Sequence, residues 1–200
     1  MAVATATGSL ATAPPAPPAR PRVLLIGSAL VSGATFLFFT SLLAIYLARR
    51  ADVINAGGRW LPRDAKIPLT QPTMMLMTLL MSLVTVLWAA DALRKEDKAN
   101  AYVALGVTLV FGFAYVNQGT YLLSRMGLST KSEAGLLILT IGGAHIALVL
   151  LAMGFLVLVT FRTLSGQYRR IPEGINAAAV FWFATVAVWA VLWYGIFVTK

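Results

Sequence analysis

His145 is the only histidine of the chain, and it lies near the middle of a long apolar stretch, after Gly142 and Gly143. An imidazole at this depth could bind a ligand or take part in proton transfer. Alternatively, it is a neutral side chain that bonds a carbonyl or hydroxyl on a neighbouring helix. No carboxylate lies at matching depth to pair with it or orient it. The sequence therefore favours the second interpretation and excludes a Ser-His-Asp triad.

A polar patch lies near the end of another apolar stretch, and it consists of Asn117, Gln118, Thr120 and Tyr121. Such side chains could bind a lipid headgroup or a quinone ring. Hydrogen bonding between neighbouring helices is the commoner use of these residue types within a membrane. The patch is therefore a candidate contact site for lipid or a partner subunit, and the structural interpretation is favoured.

Trp182 and Trp189 are seven positions apart, so on a helix they share one face. This face could anchor a partner subunit, and packing against other helices of the same chain fits the spacing equally well. The chain has few side chains of the types that bind metals most often, because it contains no cysteine and one histidine. By itself it cannot supply a thiolate site, a bis-histidine haem site or a three-histidine copper site.

The elements that position these residues are five apolar segments, each long enough to cross a hydrocarbon core of ~30 Å as a helix. We predict an all-α membrane protein, a five-transmembrane-helix bundle in a domain over residues 22–200. The predicted helices cover about 23–48, 72–90, 101–123, 134–161 and 175–198, with the first stopped by Arg49 and Arg50. No Asp, Glu, Lys or Arg lies inside these segments, which argues against a transporter or channel with a polar pathway.

Composition supports a membrane protein, since 59% of the residues are hydrophobic, 12% are charged and the mean hydropathy is +0.81. Residues 1–21 form an Ala- and Pro-rich tail that we expect to be disordered. The net charge of +9 comes from short clusters between the apolar segments, so no nucleic-acid partner is expected. Eight Lys and Arg residues fall on each side of the predicted bundle, and the positive-inside rule therefore gives no orientation.

The order of these features resembles subunit III of the haem-copper terminal oxidases, in its short bacterial form with five helices. Within the first predicted helix, the stretch from Phe36 to Tyr46 is similar to the family's Glu-Leu-Met-Phe-Phe segment that ends at a Tyr. The stretches Thr78–Ser82 and Asn117–Tyr121 are similar to the second-helix entry and to a Gln-Gly-x-Glu-Tyr-like stretch. His145 falls where the second histidine of the family's His-x-x-His element would lie. Trp182 and Trp189 keep the spacing of a Trp-His-x-x-Asp-x-x-Trp-like element.

The chain departs from this family where the family carries buried polar groups. Thr35 stands in place of a membrane-embedded Glu, and Gly142 replaces the first histidine of the pair. Phe183 and Val186 replace the histidine and the acid of the last element, and the glutamate of the third helix is absent. The resemblance therefore covers helix order and spacing, and not roles that need those acids, such as supporting proton uptake.

The resemblance implies a non-catalytic, lipid-binding and stabilising subunit of a respiratory oxidase that reduces oxygen, with no active site of its own. Subunits I and II would be its partners and would carry the haem and copper, while this chain would bind phospholipid and no cofactor. It would lie in the bacterial plasma membrane with a cytoplasmic N-terminus. Arg49 and Arg50 would then face outward and meet lipid phosphates or acidic partners. Alternatives are an accessory subunit of a related nitric oxide reductase or of a larger respiratory supercomplex and, as a different class, a small stand-alone transporter.

The candidate contacts for lipid or partner subunits are therefore Thr35, Arg49, Arg50, Asn117, Gln118, Tyr121, His145, Trp182 and Trp189.

Overall fold

A computed structural model describes residues 22–164 and 173–199 of the chain, and only the backbone of residues 163 and 164. The tail of residues 1–21, which the sequence predicts to be disordered, lies outside the described residues. So do Arg20, Arg169, Arg170 and Lys200, four of the cations in the charge comparison above.

Five helices make up the described part of the chain: α1 (Val23–Asn55), α2 (Thr70–Arg94), α3 (Lys98–Arg125), α4 (Glu133–Leu164) and α5 (Glu173–Leu192). A π-helical turn, Trp193–Val198, continues directly from α5. All five helices are long and apolar enough to cross a membrane, the last together with its π-helical turn. The prediction of an all-α, five-helix membrane bundle is confirmed.

The helices extend further than the apolar segments that predict them. Arg49 and Arg50 do not stop α1, which continues for one more turn to Asn55. Charged residues end the part of a helix that can lie in hydrocarbon, but Arg is a good helix former and the backbone can continue into the headgroup layer. The helical backbone ends where Gly57 takes a φ of +75°, a conformation that glycine adopts at little cost.

Successive helices cross the bundle in alternating directions, as contacts at its two ends demonstrate. At one end, the end of α2 meets the start of α5, where Arg94 donates to Asn176 at 3.2 Å. At the other end, the start of α2 meets the π-helical turn, where the Trp193 indole donates to the Thr73 hydroxyl at 3.1 Å. The start of α1 lies at the same end as the start of α5, because Glu173 of α5 accepts from the backbone N–H groups of Leu24 and Leu25.

Helix α5 forms the centre of the bundle and packs against α1, α2 and α4. It is the most buried of the five helices, whereas α1 is the least buried. Large apolar side chains also cover the outer surface, for example Leu30, Leu37 and Leu151, each more than 60% exposed. Apolar residues on both the inside and the outside are expected when hydrocarbon surrounds the protein, because lipid does not exclude them.

The start of α1 is capped by a residue distant in sequence. The backbone N–H groups of Leu24 and Leu25 donate to Oε1 of Glu173 at 3.1 and 3.4 Å. The first N–H groups of a helix have no partner within the helix, and a carboxylate there satisfies them and complements the helix dipole. Glu173 thereby joins the ends of the first and last helices.

We expect Glu173→Ala to lower the stability of the protein by about 1 kcal/mol, the usual effect of losing a helix cap. The measurement is the thermal unfolding midpoint of the protein purified from its native membranes in mild detergent. Glu133→Ala is the matched control, since Glu133 also lies in a helix's first turn but makes only an exposed ion pair with Arg49. Equal midpoints for the two variants would show that Glu173 does not cap α1.

Candidate functional site

His145 is fully buried in the interior of the bundle, where both ring nitrogens have partners. The Tyr115 hydroxyl lies 2.7 Å from Nδ1, and the Thr185 carbonyl oxygen lies 3.0 Å from Nε2. A carbonyl can only accept, so Nε2 donates its proton to Thr185, and Nδ1 accepts from the tyrosine. This pattern satisfies a neutral imidazole completely. The arrangement matches the second interpretation of the sequence, in which a neutral histidine bonds a carbonyl or hydroxyl on a neighbouring helix.

Aromatic rings from three other helices surround the imidazole. Trp189 of α5 lies 5.3 Å from it, Tyr115 of α3 lies 5.4 Å from it and Phe39 of α1 lies 5.7 Å from it, measured between ring centroids. Tyr115 and Trp189 also contact each other edge to face at 5.2 Å. We call His145, Tyr115, Trp189 and Phe39 the aromatic cluster. It fixes α1, α3, α4 and α5 relative to one another.

Trp182 is fully buried and lies on α5 two helical turns before Trp189 of the aromatic cluster. Its indole N–H donates to the Ser82 hydroxyl of α2 at 2.8 Å. The ring edge lies against Gly112 of α3, where a Cβ would come within 3.0 Å of Trp182 Cη2. Trp182, Trp189 and His145 therefore lie inside the bundle and do not reach its outer surface, so direct contact with lipid or a partner subunit is not available to them here.

The cavity beside the aromatic cluster is too small for a substrate. The cavity that adjoins Tyr115 and Trp189 has a volume of about 10 Å³, which is roughly the space of one water molecule. No group of three or more His, Cys, Asp or Glu side chains that could hold a metal ion occurs in the described ranges. The aromatic cluster can therefore position helices, and its geometry offers no open site for chemistry.

The polar patch on α3 divides between two faces. The Gln118 side chain donates to the Thr78 hydroxyl at 3.5 Å, and its backbone carbonyl accepts from Gln71 at 3.2 Å, so it joins α3 to α2. Asn117 and Tyr121 are exposed on the outer surface. Arg125 lies over the Tyr121 ring at 5.3 Å, a cation–π contact.

Thr35 lies on an open groove between α1 and α4. Besides Thr35, this groove of about 430 Å³ is lined by apolar side chains and alanines, among them Phe38, Ala147 and Leu151. The small side chains of the alanines leave space between the two helices. Helices α1 and α4 accordingly make few contacts with each other. We call this surface the Thr35 groove.

Arg49 and Arg50 point to different surroundings. Arg49 forms an exposed ion pair with Glu133 at 3.4 Å. Arg50 is half-buried and donates to the Thr199 hydroxyl at 3.2 Å. It lies at one end of a second open groove, between α1 and the end of α5, with a volume of about 640 Å³.

Of the candidate contact residues, His145 and Trp189 come together in the structure from distant parts of the chain. Sequence reasoning did not single out Tyr115 of the aromatic cluster, and it included Phe39 and Ser82 only as parts of stretches similar to the family. Tyr115 does carry a signal, because a tyrosine in a membrane helix needs a partner for its hydroxyl and His145 is the one titratable side chain at that depth.

Comparison with known proteins agrees with this architecture. The family model described as cytochrome c oxidase subunit III matches residues 22–199. Cytochrome c oxidase subunit 3 of Bos taurus is 28% identical over 186 residues, 90% of this chain and 71% of the relative. The proteins of the same name from Coturnix japonica and Oncorhynchus clarkii are 25% and 27% identical, over 84% of this chain and 66% of each relative. The chain therefore belongs to the cytochrome c oxidase subunit III family, and it is a multi-pass membrane subunit of a haem-copper terminal oxidase complex.

Proposed function

We propose that this chain is a non-catalytic subunit that binds phospholipid and stabilises an oxygen-reducing respiratory oxidase. The observation that carries this proposal is the pair of open apolar grooves on either side of α1, the least buried helix. One contains Thr35 and the other ends at Arg50. Such grooves at the outer surface of a membrane bundle fit acyl chains, and an arginine at headgroup depth fits a phosphate.

The catalytic metals would be held by the partners, subunits I and II. The amino-acid composition supports this division, since one histidine and no cysteine cannot by themselves form a bis-histidine haem site, a three-histidine copper site or a thiolate site. The histidine is engaged by Tyr115 and Thr185 and holds helices together. The chain would then have a structural role in the complex. It would form a rigid bundle whose outer surfaces bind lipid and the neighbouring subunits.

Subunit contacts are proposed for the exposed face of α3. Asn117 presents an amide at membrane depth without a hydrogen-bond partner among the described residues, two turns before the end of the helix. An amide is poorly solvated by hydrocarbon, so this position favours contact with a neighbouring subunit over lipid tails. Tyr121 lies one turn further along the same face.

The proposed location is the bacterial plasma membrane, with the start of α1 on the cytoplasmic side. This places the end of α2 and the start of α5 on the cytoplasmic side and the Arg50 end of α1 on the outer side. The resemblance to the short bacterial form supports this orientation, whereas the balanced distribution of cations gives no preference.

The test is purification of the tagged protein from native membranes in mild detergent, followed by a reduced-minus-oxidised visible spectrum. We expect haem bands to co-elute with large partner chains, which mass spectrometry would identify as oxidase subunits. The same purification from a strain that expresses an unrelated tagged membrane protein is the control. A colourless particle that contains this chain alone, from membranes that retain intact oxidase, would overturn the proposal. If the partner chains are those of a nitric oxide reductase, this chain is instead an accessory subunit of that enzyme.

A further inference from the structure

The groove between α1 and the end of α5 has one polar end and one apolar end. On α1, Leu43, Leu47 and Arg50 lie on one side of it at spacings of four and three residues, which place them on one helix face. On the other side lie Ala190, Val191, Tyr194, Gly195 and Thr199. Arg50 and Thr199 close the end toward the membrane surface. We call this surface the Arg50 groove.

The π-helical turn helps to form the polar end. In this turn the backbone N–H of Thr199 bonds the carbonyl of Tyr194 at 3.1 Å, five residues earlier. The wider turn places the Thr199 hydroxyl 3.2 Å from the Arg50 guanidinium. Gly195 allows α5 to approach α1, because a Cβ there would come within 2.7 Å of the Leu43 side chain. π-Helical turns of this kind are frequent at binding sites.

Charge in the groove is positive and not neutralised within the described residues. Arg50 makes one hydrogen bond to a neutral hydroxyl, and no carboxylate of the described ranges lies within ion-pair distance of it. Its neighbour Arg49 is on another face and pairs with Glu133. A guanidinium has five N–H donors, so Arg50 keeps several for a phosphate.

The dimensions of the groove match the upper part of a phospholipid. From Arg50 to Leu43 the groove extends seven residues along α1, about 10 Å, away from the membrane surface. Its volume of about 640 Å³ is within the range of ligand sites. Beyond the arginine and the threonine hydroxyl its walls are mainly apolar, which suits an acyl chain.

We propose that the Arg50 groove binds one phospholipid of the leaflet near the C-terminal end of α5, with its phosphate on Arg50 and Thr199 and an acyl chain against Leu43, Leu47 and Val191. This inference rests on the proposed function of the chain as a lipid-binding membrane subunit. It adds a defined site, a polar recognition group and a leaflet.

The test is native mass spectrometry of the complex purified from its own membranes, with the number of bound phospholipids counted for each variant. We expect Arg50→Gln to lose one phospholipid per chain, and Arg63→Gln, a control at an exposed arginine in the loop after α1 that does not line the groove, to keep it. Arg50→Lys should retain the lipid in part, because a point charge replaces a planar fork. If the count is the same in Arg50→Gln and the native protein, the proposal is wrong.

Reloading of delipidated complex separates the recognition of phosphate from simple filling of an apolar groove. Phosphatidylglycerol should bind the native protein at least about tenfold more tightly than the Arg50→Gln variant, consistent with a charge-assisted bond. Diacylglycerol, which lacks the phosphate, should bind both proteins equally weakly. If Arg50→Gln releases a polypeptide and no lipid, the groove is a subunit interface and the lipid proposal fails.

The redox spectrum of the same sample keeps this proposal distinct from the proposed function. If haem bands are present and the Arg50→Gln variant keeps the native number of phospholipids, the Arg50 site is wrong, but the proposed role as an oxidase subunit stands. Lipid loss in the Arg50→Gln variant from a particle without haem would support the site and overturn the oxidase role.

Discussion

Replacement of Gly112 by leucine is expected to destabilise the bundle by about 3 kcal/mol, the upper part of the usual range for overpacked cores. A Cβ at this position would lie 2.9 Å from Sδ of Met153 and 3.0 Å from Cη2 of Trp182. The methionine could rotate away, but the tryptophan is fixed by its bond to Ser82 at 2.8 Å. Helices α2, α3, α4 and α5 meet at this point, so the backbone of α3 would have to move outward.

Gly154→Leu provides the matched control for this prediction. Gly154 follows Met153 on α4 but is exposed, and a Cβ there would meet nothing within 4 Å, so the added side chain would extend outward from the bundle. The measurement compares the thermal unfolding midpoints of the purified complexes and the amount of the tagged subunit that they retain. We expect a large fall for Gly112→Leu and little change for Gly154→Leu. Equal stabilities would mean that Trp182 does not pack against α3 as described.

The number and type of the elements could be predicted because long uncharged segments in a chain of this composition have few other solutions. In hydrocarbon, every backbone polar group must be paired within the segment, which leaves helices for runs of this length. The ends of the helices were harder to predict. At Arg49 the hydropathy signal ends, but the backbone has no reason to leave the helix until Gly57.

The faces of the helices could not be predicted in the same way. A membrane helix is apolar on its inner and outer sides alike, so periodicity does not reveal which side faces the core. The spacing of Trp182 and Trp189 predicts a shared face and leaves open whether it points inward or outward. The structure places both inside. The same uncertainty applies to Asn117 and Gln118, adjacent residues that lie on different surfaces of α3.

The partners of His145 were beyond sequence reasoning because they come from distant parts of the chain. Tyr115 is 30 positions away and Thr185 is 40 positions away. Only the packing angles of three helices bring these groups within hydrogen-bond distance. The chemical type of partner, a hydroxyl and a carbonyl, could be inferred, because no acid was present at that depth.

The second large effect is expected at this histidine. His145→Phe preserves the bulk of the ring but removes both of its nitrogens, so the buried Tyr115 hydroxyl loses its acceptor. Leaving a buried polar group without a partner costs about 1–3 kcal/mol. We expect the unfolding midpoint of the complex to fall accordingly, while the turnover of complexes that assemble with normal haem content stays nearly unchanged.

A double-mutant cycle with Tyr115→Phe separates the hydrogen bond from the general packing of the aromatic cluster. The tyrosine and the histidine lie in contact at 2.7 Å, so their changes should not be additive. The double variant should be about as stable as either single variant, or slightly more so, because it leaves no hydroxyl unpaired. Tyr121→Phe, at an exposed position of the same helix, should have little effect. Additive losses would contradict the Tyr115–His145 bond, and loss of turnover in an intact, haem-containing complex would show that His145 has a functional role beyond packing.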